Sequence, residues 1–284
     1  MGSRRYFCVR GFMKSGTNWL GTLLSSHQDI SVVGEFHWQT LFNQFKKQFD
    51  NLPIYQINEA LGPFVMQELQ SLFQKGLDQL ADPSASLVGD RTPTTIEPLI
   101  FEDTPTVSII RDGRDVLVSR AFHLHNYPDV HRLFKRIPRM GRDHESFKAD
   151  PWFFKKNPER LLRHELMVRE SVRWWKEHLE RDQQTIEQHP NAKIEFVKYE
   201  DLHADTFQVR KRLFEFLDVD PDKATKIEGV IAPGFANESP NEFLRKGKVG
   251  DWKNYFTDEV NQWFVEEAGE TLERFGYALE PAEL

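Results

Sequence analysis

The chain has 284 residues, 39% of them hydrophobic and 13% aromatic, which is enough to bury a sizeable core in one α/β domain. Its 37 basic against 44 acidic residues give a net charge of -7, which argues against a nucleic-acid partner and requires any anion site to be a local basic cluster. No run of about 18 apolar residues is present, MGSRR leads directly into a strand-like segment, and Cys8 is the single cysteine, so we expect no membrane span, no signal peptide and a cytoplasmic location.

Five short apolar runs predict strands at residues 6–12, 30–35, 86–91, 106–112 and 193–200. None alternates cleanly between polar and apolar residues, which is typical of strands covered on both faces. Helical spacing of apolar residues predicts helices at residues 18–26, 64–80, 114–124 and 258–277. This order predicts a single α/β domain over residues 1–284, with a mostly parallel central sheet and ligands at the carboxyl ends of its strands.

The first motif is GFMKSGTNWLGTLL, residues 11–24, directly after the first predicted strand. A strand that runs through a glycine turn into a helix leaves backbone N–H groups free, and with Lys14, Ser15 and Thr17 they would bind a dianion. Lys14 precedes Gly16 rather than following it, and no later strand ends in a plain metal-binding carboxylate, so a magnesium-dependent NTPase fits poorly. The alternative is an ordinary strand-to-helix turn with a surface lysine.

Two further segments carry clustered cations. In SIIRDGRDVLVSR, residues 108–120, Arg111 leaves an apolar strand and Ser119 follows about two helical turns later, a spacing that suits a phosphate. In FLRKGKVGDWKNYFT, residues 243–257, basic side chains surround Gly247. The alternatives are charge pairing at a helix start with a solvated Arg114, and a solvated basic loop.

The three segments together resemble the PAPS-dependent sulfotransferases. KSGTNW is similar to the family's 5'-phosphosulfate loop, RDGRDVLVS to its 3'-phosphate motif, and RKGKVGDW to its RKGxxGDWK signature. ESVRWWKEH and FVKYEDL resemble the helix and strand that precede that signature. The resemblance spans roughly residues 6–257. It implies the P-loop NTPase-like sulfotransferase fold, the donor 3'-phosphoadenosine 5'-phosphosulfate (PAPS), the product PAP, and no metal.

The resemblance also assigns nucleotide contacts. The loop residues would hold the 5' end, Trp19 would stack on adenine, and the later residues would bind the 3'-phosphate and close over it. For Trp19 and Tyr199, plain core packing is an equally good interpretation. The implied nucleotide-binding residues are Lys14, Ser15, Gly16, Thr17, Asn18, Trp19, Arg111, Ser119, Tyr199, Arg245, Lys246 and Gly247.

Sulfuryl transfer requires charge neutralisation at the bridging oxygen, for which Lys14 is the candidate, and a base for the acceptor. Cytosolic small-molecule sulfotransferases have a histidine after the third strand, but GDRTPTT lacks one. VVGEFHW is instead similar to the tyrosylprotein and heparan enzymes, which makes Glu35 the candidate base and Arg91 a second positive charge. Alternatively, Glu35 is a structural carboxylate paired with Arg91. His37 is the second candidate base, because it would share a face with Glu35 if the strand continues. Asp90 is the third.

The acceptor side is the least defined. We expect a small-molecule or glycan hydroxyl as acceptor, with an amine as the alternative. His123 and His125 are candidates for the acceptor pocket, although a lone histidine is more often structural. The irregular residues 125–165 predict an acceptor-side insertion or lid. A magnesium-dependent kinase and a non-catalytic nucleotide-binding protein are the competing classes. The sequence does not indicate the oligomeric state.

Overall fold

A computed structural model describes residues 4–35, 37–38, 44–45, 47–48, 51–53, 60–96, 104–128, 136–225, 239–240 and 246–279. Five strands lie within these ranges: β1 Arg5–Gly11, β2 Ile30–Gly34, β3 Leu87–Arg91, β4 Thr106–Ile110 and β5 Ile194–Lys198. They form one sheet in the order β2-β3-β1-β4-β5, and every neighbouring pair is parallel. The predicted α/β class is confirmed. The extent of the single domain stays a prediction.

The described helices lie between and after the strands. They are α1 Thr17–Leu24, α2 Leu61–Leu80, α3 Gly113–Asn126, α4 Pro138–Ala149, α5 Phe153–Lys156, α6 Glu165–Gln188, α7 Tyr199–Ala204, α8 Thr206–Phe216 and α9 Asp258–Arg274. Three short 3₁₀ turns add Pro158–Arg160, Pro221–Lys223 and Asp251–Asn254. Strand β5 ends at Lys198, two residues before the predicted end, because Tyr199 already begins α7.

Both faces of the sheet are covered, which explains why the strands lack polar alternation. On one face, Phe7 and Val9 of β1 pack with Leu20 of α1. On the other face, Phe12 and Ile110 belong to a larger cluster with side chains of α3, α6 and α9. Since successive residues of a strand point to opposite faces, neighbouring positions on β1 and β3 have different surroundings. This separation decides which polar residues can meet in the site.

The predicted irregular insertion, residues 125–165, is largely helical where it is described. Residues from α4, α5 and the turn after them are buried in the main core, namely Met140, Phe147, Phe154, Leu161 and Leu162. The segment shows no steady period because it is built from short helices. Its basic residues are also not simply solvated, since Arg160, Arg163 and His164 all contact the buried carboxylate of Asp143.

A buried ion pair joins β1 to β3. Arg10 is only 2% exposed, and its Nη2 lies 2.8 Å from Asp90 Oδ2. Its Nη1 donates to the carbonyls of Val9 and Asp90, at 3.1 and 2.8 Å. Removing one member of a buried pair leaves the other charge uncompensated, which costs far more than losing an exposed pair.

We therefore expect Asp90→Asn to lower the free energy of unfolding by about 3–5 kcal/mol, because the Arg10 guanidinium would stay buried without a counter-charge. Asp218→Asn is the matched control. Asp218 is 95% exposed and pairs with Arg5, which lies on β1 like Arg10. The free energy of unfolding should therefore fall by less than about 1 kcal/mol. Urea unfolding followed by circular dichroism measures both. Equal losses in the two variants would contradict the expectation.

Candidate active site

The first loop turns sharply through residues with left-handed backbone. Lys14 has a φ of 68° and Gly16 a φ of 103°. A Cβ on Gly16 would lie 2.6 Å from Tyr199 Cδ2, so the loop can rest on that ring only with glycine at this position. Gly16 begins α1 as its N-cap and supplies no side-chain cap. No side chain therefore caps the first N–H groups of α1 among the described residues, and the anion site that the sequence places here stays a prediction.

Lys14 lies among charged neighbours that act in opposite directions. Burial lowers the pKa of its ammonium group to about 8; the nearby Glu35 carboxylate opposes the shift, and the nearby Arg120 guanidinium adds to it. A lysine of this kind is charged at neutral pH but incompletely solvated. It can gain more from a bound anion than an exposed lysine can.

Arg91 and Glu35 meet at the carboxyl ends of β3 and β2. The Nη1 group of Arg91 donates to Glu35 Oε1 at 2.7 Å, and the same nitrogen donates to Asn18 Oδ1 of α1. The side chains are 20% and 37% exposed, so both remain accessible from solvent. The structure therefore brings together Lys14, Asn18, Glu35 and Arg91, and it also contains the Glu35–Arg91 pair that the sequence left as an alternative.

The other two candidate bases are placed differently. Asp90 is on the opposite face of β3 from Arg91 and is engaged with Arg10 and with the Thr92 hydroxyl. His37 is exposed and has a φ of 51°. The expectation that His37 shares a face with Glu35 required β2 to continue, but β2 ends at Gly34. Geometry thus favours Glu35 over both.

Arg111 forms the second cationic centre. It is 7% exposed and lies with its guanidinium carbon 4.2 Å from the centre of the Tyr199 ring. Its Nη2 donates to the Lys248 carbonyl at 2.8 Å and its Nη1 to the Lys14 carbonyl at 3.3 Å. Ser119 lies half-buried two turns further along α3. Arg111 thereby connects the first loop to the third segment.

Asp115 fixes the third segment, a role that the sequence analysis missed. Its two carboxylate oxygens accept hydrogen bonds from the Gly250 and Trp252 N–H groups, at 2.8 and 2.9 Å. Burial raises the pKa of the Asp115 carboxyl, and the Arg111 charge, 3.6 Å away, opposes that shift. The available signal was the i,i+4 spacing of Arg111 and Asp115.

The alternative interpretation of residues 108–120 expected a solvated Arg114, and the structure corrects this expectation. Its guanidinium is buried rather than solvated: its Nη2 lies 2.7 Å from Asp112 Oδ2, and its Cζ lies 4.0 Å from the centre of the Trp252 ring.

Tyr199 and Trp19 form the floor of the site. Their ring centres lie 5.4 Å apart in an edge arrangement, and both side chains are buried. The Tyr199 hydroxyl donates to the Gly247 carbonyl at 2.6 Å, and burial raises its pKa to about 12. Stacking of Trp19 on adenine stays a prediction.

The remaining members of the third segment are only partly described. The Lys246 ammonium group lies 2.6 Å from Asp251 Oδ1, and Gly247 has a left-handed φ of 63°. Arg245 lies outside the described residues.

Arg120 is a second residue that the sequence analysis missed. Its Nε donates to Ser171 Oγ at 3.1 Å, and its guanidinium lies 4.5 Å from the centre of the Trp174 ring. Burial lowers its pKa to about 10. Its proximity to Lys14 adds a third cation to the region of Glu35. Only its position directly after the segment that resembles a 3'-phosphate motif could have signalled it.

The two histidines expected near the acceptor differ in their surroundings. His125 is 1% exposed, and its ring centre lies 4.6 Å from that of Phe154; burial lowers its pKa to about 3. It is a neutral core histidine and not part of an open pocket. His123 is half-buried at the end of α3 and packs against Tyr127.

No group of three or more His, Cys, Asp or Glu side chains that could hold a metal ion occurs in the described ranges. Among the helices described, none is long and apolar enough to cross a membrane.

Residues 5–276 match the sulfotransferase domain family. Sulfotransferase 1E1 of Bos taurus is 23% identical over 273 residues, which cover 89% of this chain and 78% of the relative. Flavonol 4'-sulfotransferase of Flaveria chlorifolia is 30% identical over 128 residues, 37% of each chain. The solved structure of mouse sulfotransferase SULT7A1 complexed with PAP covers 96% of this chain and 86% of its own, with 17% identity and a TM-score of 0.49.

The family match extends over nearly the whole chain and includes all three motifs. The protein therefore belongs to the sulfotransferase family and is an enzyme of the PAPS-dependent class that its motifs resemble.

Proposed function

We propose that the enzyme transfers the sulfuryl group of PAPS to a hydroxyl group of a small molecule or glycan by in-line displacement, with an amine as the alternative acceptor. The observation that carries this proposal is the pair of cationic centres around the first loop. One is formed by Lys14 and Arg91 beside Glu35, and the other by Arg111 over Tyr199. A donor with anionic groups at two ends requires two such centres.

The loop fits the 5' end of the donor. Lys14, Ser15, Gly16, Thr17 and Asn18 would supply the ammonium group, hydroxyls and helix N–H groups. Within the described part of the chain, the buried Ser15 hydroxyl has no hydrogen-bond partner, as expected for a group that donates to a phosphate oxygen.

The second centre fits the 3'-phosphate. The 3'-phosphate would be contacted by Arg111 and Ser119. Lys246 and Gly247 of the third segment would contact it as well. In the part of the chain that the structure describes, Arg111 Nε is buried without a hydrogen-bond partner, which supports a further donor role there. The Lys246 ammonium group would have to leave Asp251, and Arg245 is assigned to this end by the family motif alone.

Three side chains would have separate roles in the transfer of the sulfuryl group. Glu35 would accept the proton of the acceptor hydroxyl as the new S–O bond forms. Lys14 would neutralise the bridging oxygen as the S–O bond to the 5'-phosphate breaks, and Arg91 would neutralise the sulfuryl oxygens. Because Glu35 Oε1 accepts from Arg91 in this structure, the base and its neighbouring cation already lie within contact distance.

On the acceptor side, His123 and the insertion at residues 126–165 are proposed to contribute, without the core histidine His125. The Flaveria chlorifolia relative is named for a flavonol, a phenol, which supports screening phenols together with alcohols and saccharides.

Titration calorimetry with PAP, beside ATP with magnesium, tests the donor assignment. We expect PAP to bind and Arg111→Ala to weaken binding about 10- to 100-fold, since a charged hydrogen bond contributes about 1.5–3 kcal/mol. Arg181→Ala removes an exposed arginine of α6 and should leave the affinity unchanged. Binding of magnesium ATP in place of PAP would overturn the proposal and favour a kinase.

The lowered pKa of Lys14 predicts a pH dependence of PAP affinity. Below pH about 8 the ammonium group is charged before binding; above it, binding must be accompanied by proton uptake, so affinity should fall as the pH rises towards 9.5. Phosphate groups with a second pKa near 6 keep a constant charge in this range. Lys14→Arg should abolish the dependence, because arginine stays protonated. A flat wild-type profile would exclude Lys14 as the titrating contact.

Substitution of Glu35 tests the base. Glu35→Gln and Glu35→Ala should lower kcat by about 10²- to 10⁴-fold, the usual contribution of a general base, while PAP affinity stays close to that of the wild type. The measurement is transfer from PAPS to the acceptors found in the screen. His37→Ala is the control and should retain activity. A large loss in His37→Ala with normal rates in Glu35→Gln would reverse the assignment.

A further inference from the structure

The side chain of Arg91 runs between α1 and β2 past two glycines. A Cβ added to Gly21 of α1 would lie 2.8 Å from Arg91 Cδ. A Cβ added to Gly34 of β2 would lie 3.0 Å from both Nε and Nη2 of Arg91. The guanidinium therefore reaches its position through a space that exists because neither glycine has a side chain.

The guanidinium of Arg91 lies at the proposed site of sulfuryl transfer. Arg91 Nη1 contacts Asn18 and Glu35. Asn18 lies three residues before Gly21, so both are on the same side of α1. We propose that Gly21 is a positioning residue for catalysis: it directs Arg91 to Asn18 and Glu35, so that the donor loop and the base share one cation. The inference about catalysis rests on the proposed function, whereas the path of Arg91 does not.

Gly21 is a better test position than Gly34. The Gly34 Cβ would also lie 2.6 Å from the Arg91 carbonyl oxygen, so its substitution would disturb the backbone of β3. At Gly21 the near contacts are side-chain atoms, namely Arg91 Cδ and Nε and, at 3.3 Å, Val32 Cγ1. A flexible arginine can move away from a methyl group. Alanine also forms helices better than glycine. The substitution should therefore displace Arg91 without unfolding the protein.

The experiment compares Gly21→Ala with Gly141→Ala in the full chain. Gly141 also lies in a helix, α4, and an added Cβ there meets no atom within 4 Å. The side-chain Nε–H signal of Arg91, identified by its loss in Arg91→Lys, is followed by nitrogen-edited NMR. We expect Gly21→Ala to shift this signal and speed its exchange with water, and Gly141→Ala to leave it unchanged. The melting temperature of Gly21→Ala should stay equal or rise by about 1–3 °C.

Kinetics supply the second readout. In transfer from PAPS to the acceptors found in the screen, Gly21→Ala should lower kcat about 10- to 100-fold, as expected for a displaced catalytic group. PAP affinity should stay within about threefold, because the contacts of Arg111 are untouched. In the Arg91→Ala background, Gly21→Ala should have no further effect, since the methyl group then has nothing to displace.

The outcomes separate the inference from the proposed function. An unchanged Arg91 signal in Gly21→Ala, or a loss of melting temperature of several degrees, overturns the positioning role. A shifted signal in a protein whose wild type transfers no sulfuryl group overturns the function and leaves the path of Arg91 established. Equal losses of kcat from Gly21→Ala with and without Arg91 would show that the methyl group acts through another neighbour.

Discussion

The site depends on one buried carboxylate. Asp115 holds the Gly250 and Trp252 N–H groups and lies beside Arg111, which in turn donates to the carbonyls of Lys14 and Lys248. Three segments far apart in sequence thus converge on a single ion pair. Because the carboxylate is buried, its negative charge is tolerated only while these donors are in place. The geometry of the proposed nucleotide site therefore depends on the charge balance between Asp115 and Arg111.

The site also explains how a protein with a net negative charge can bind an anionic substrate. The chain carries a net charge of -7, yet Lys14, Arg91, Arg111 and Arg120 gather at the carboxyl ends of the central strands. Local positive potential can therefore coexist with an acidic exterior, and it is strengthened by partial burial.

The sheet and much of the site were predictable because both rest on local patterns. Dense apolar runs gave the five strands, and the motifs located Lys14, Arg111 and the Glu35–Arg91 pair. The ends of β1, β2, β4 and β5 lie one or two residues before the predicted ends, since a strand ends where its neighbour stops pairing. That difference also separated His37 from the face of Glu35.

The residues that the sequence left open or missed share a physical cause: their partners are distant in sequence. Neighbouring residues do not show whether His125 is accessible or buried, because Phe154, which packs on its ring, lies in another helix. The role of Asp115 was missed because the N–H groups that it binds lie about 135 residues later. Arg120 is similar, since Ser171 and Trp174 come from another helix. Burial of a charge is a tertiary property, so sequence patterns reveal it poorly.

Between Gly247 and Gly250, the contacts that attach the third segment are made through its main chain. Tyr199 binds the carbonyl of Gly247, Arg111 the carbonyl of Lys248, and Asp115 the N–H groups of Gly250 and Trp252. The side chains of Lys248 and Val249 extend into solvent and take no part in this attachment. Other residues at positions 248 and 249 would therefore leave the attachment of the segment unchanged. This is a structural reason for the two unspecified positions inside RKGxxGDWK, the signature that this chain resembles.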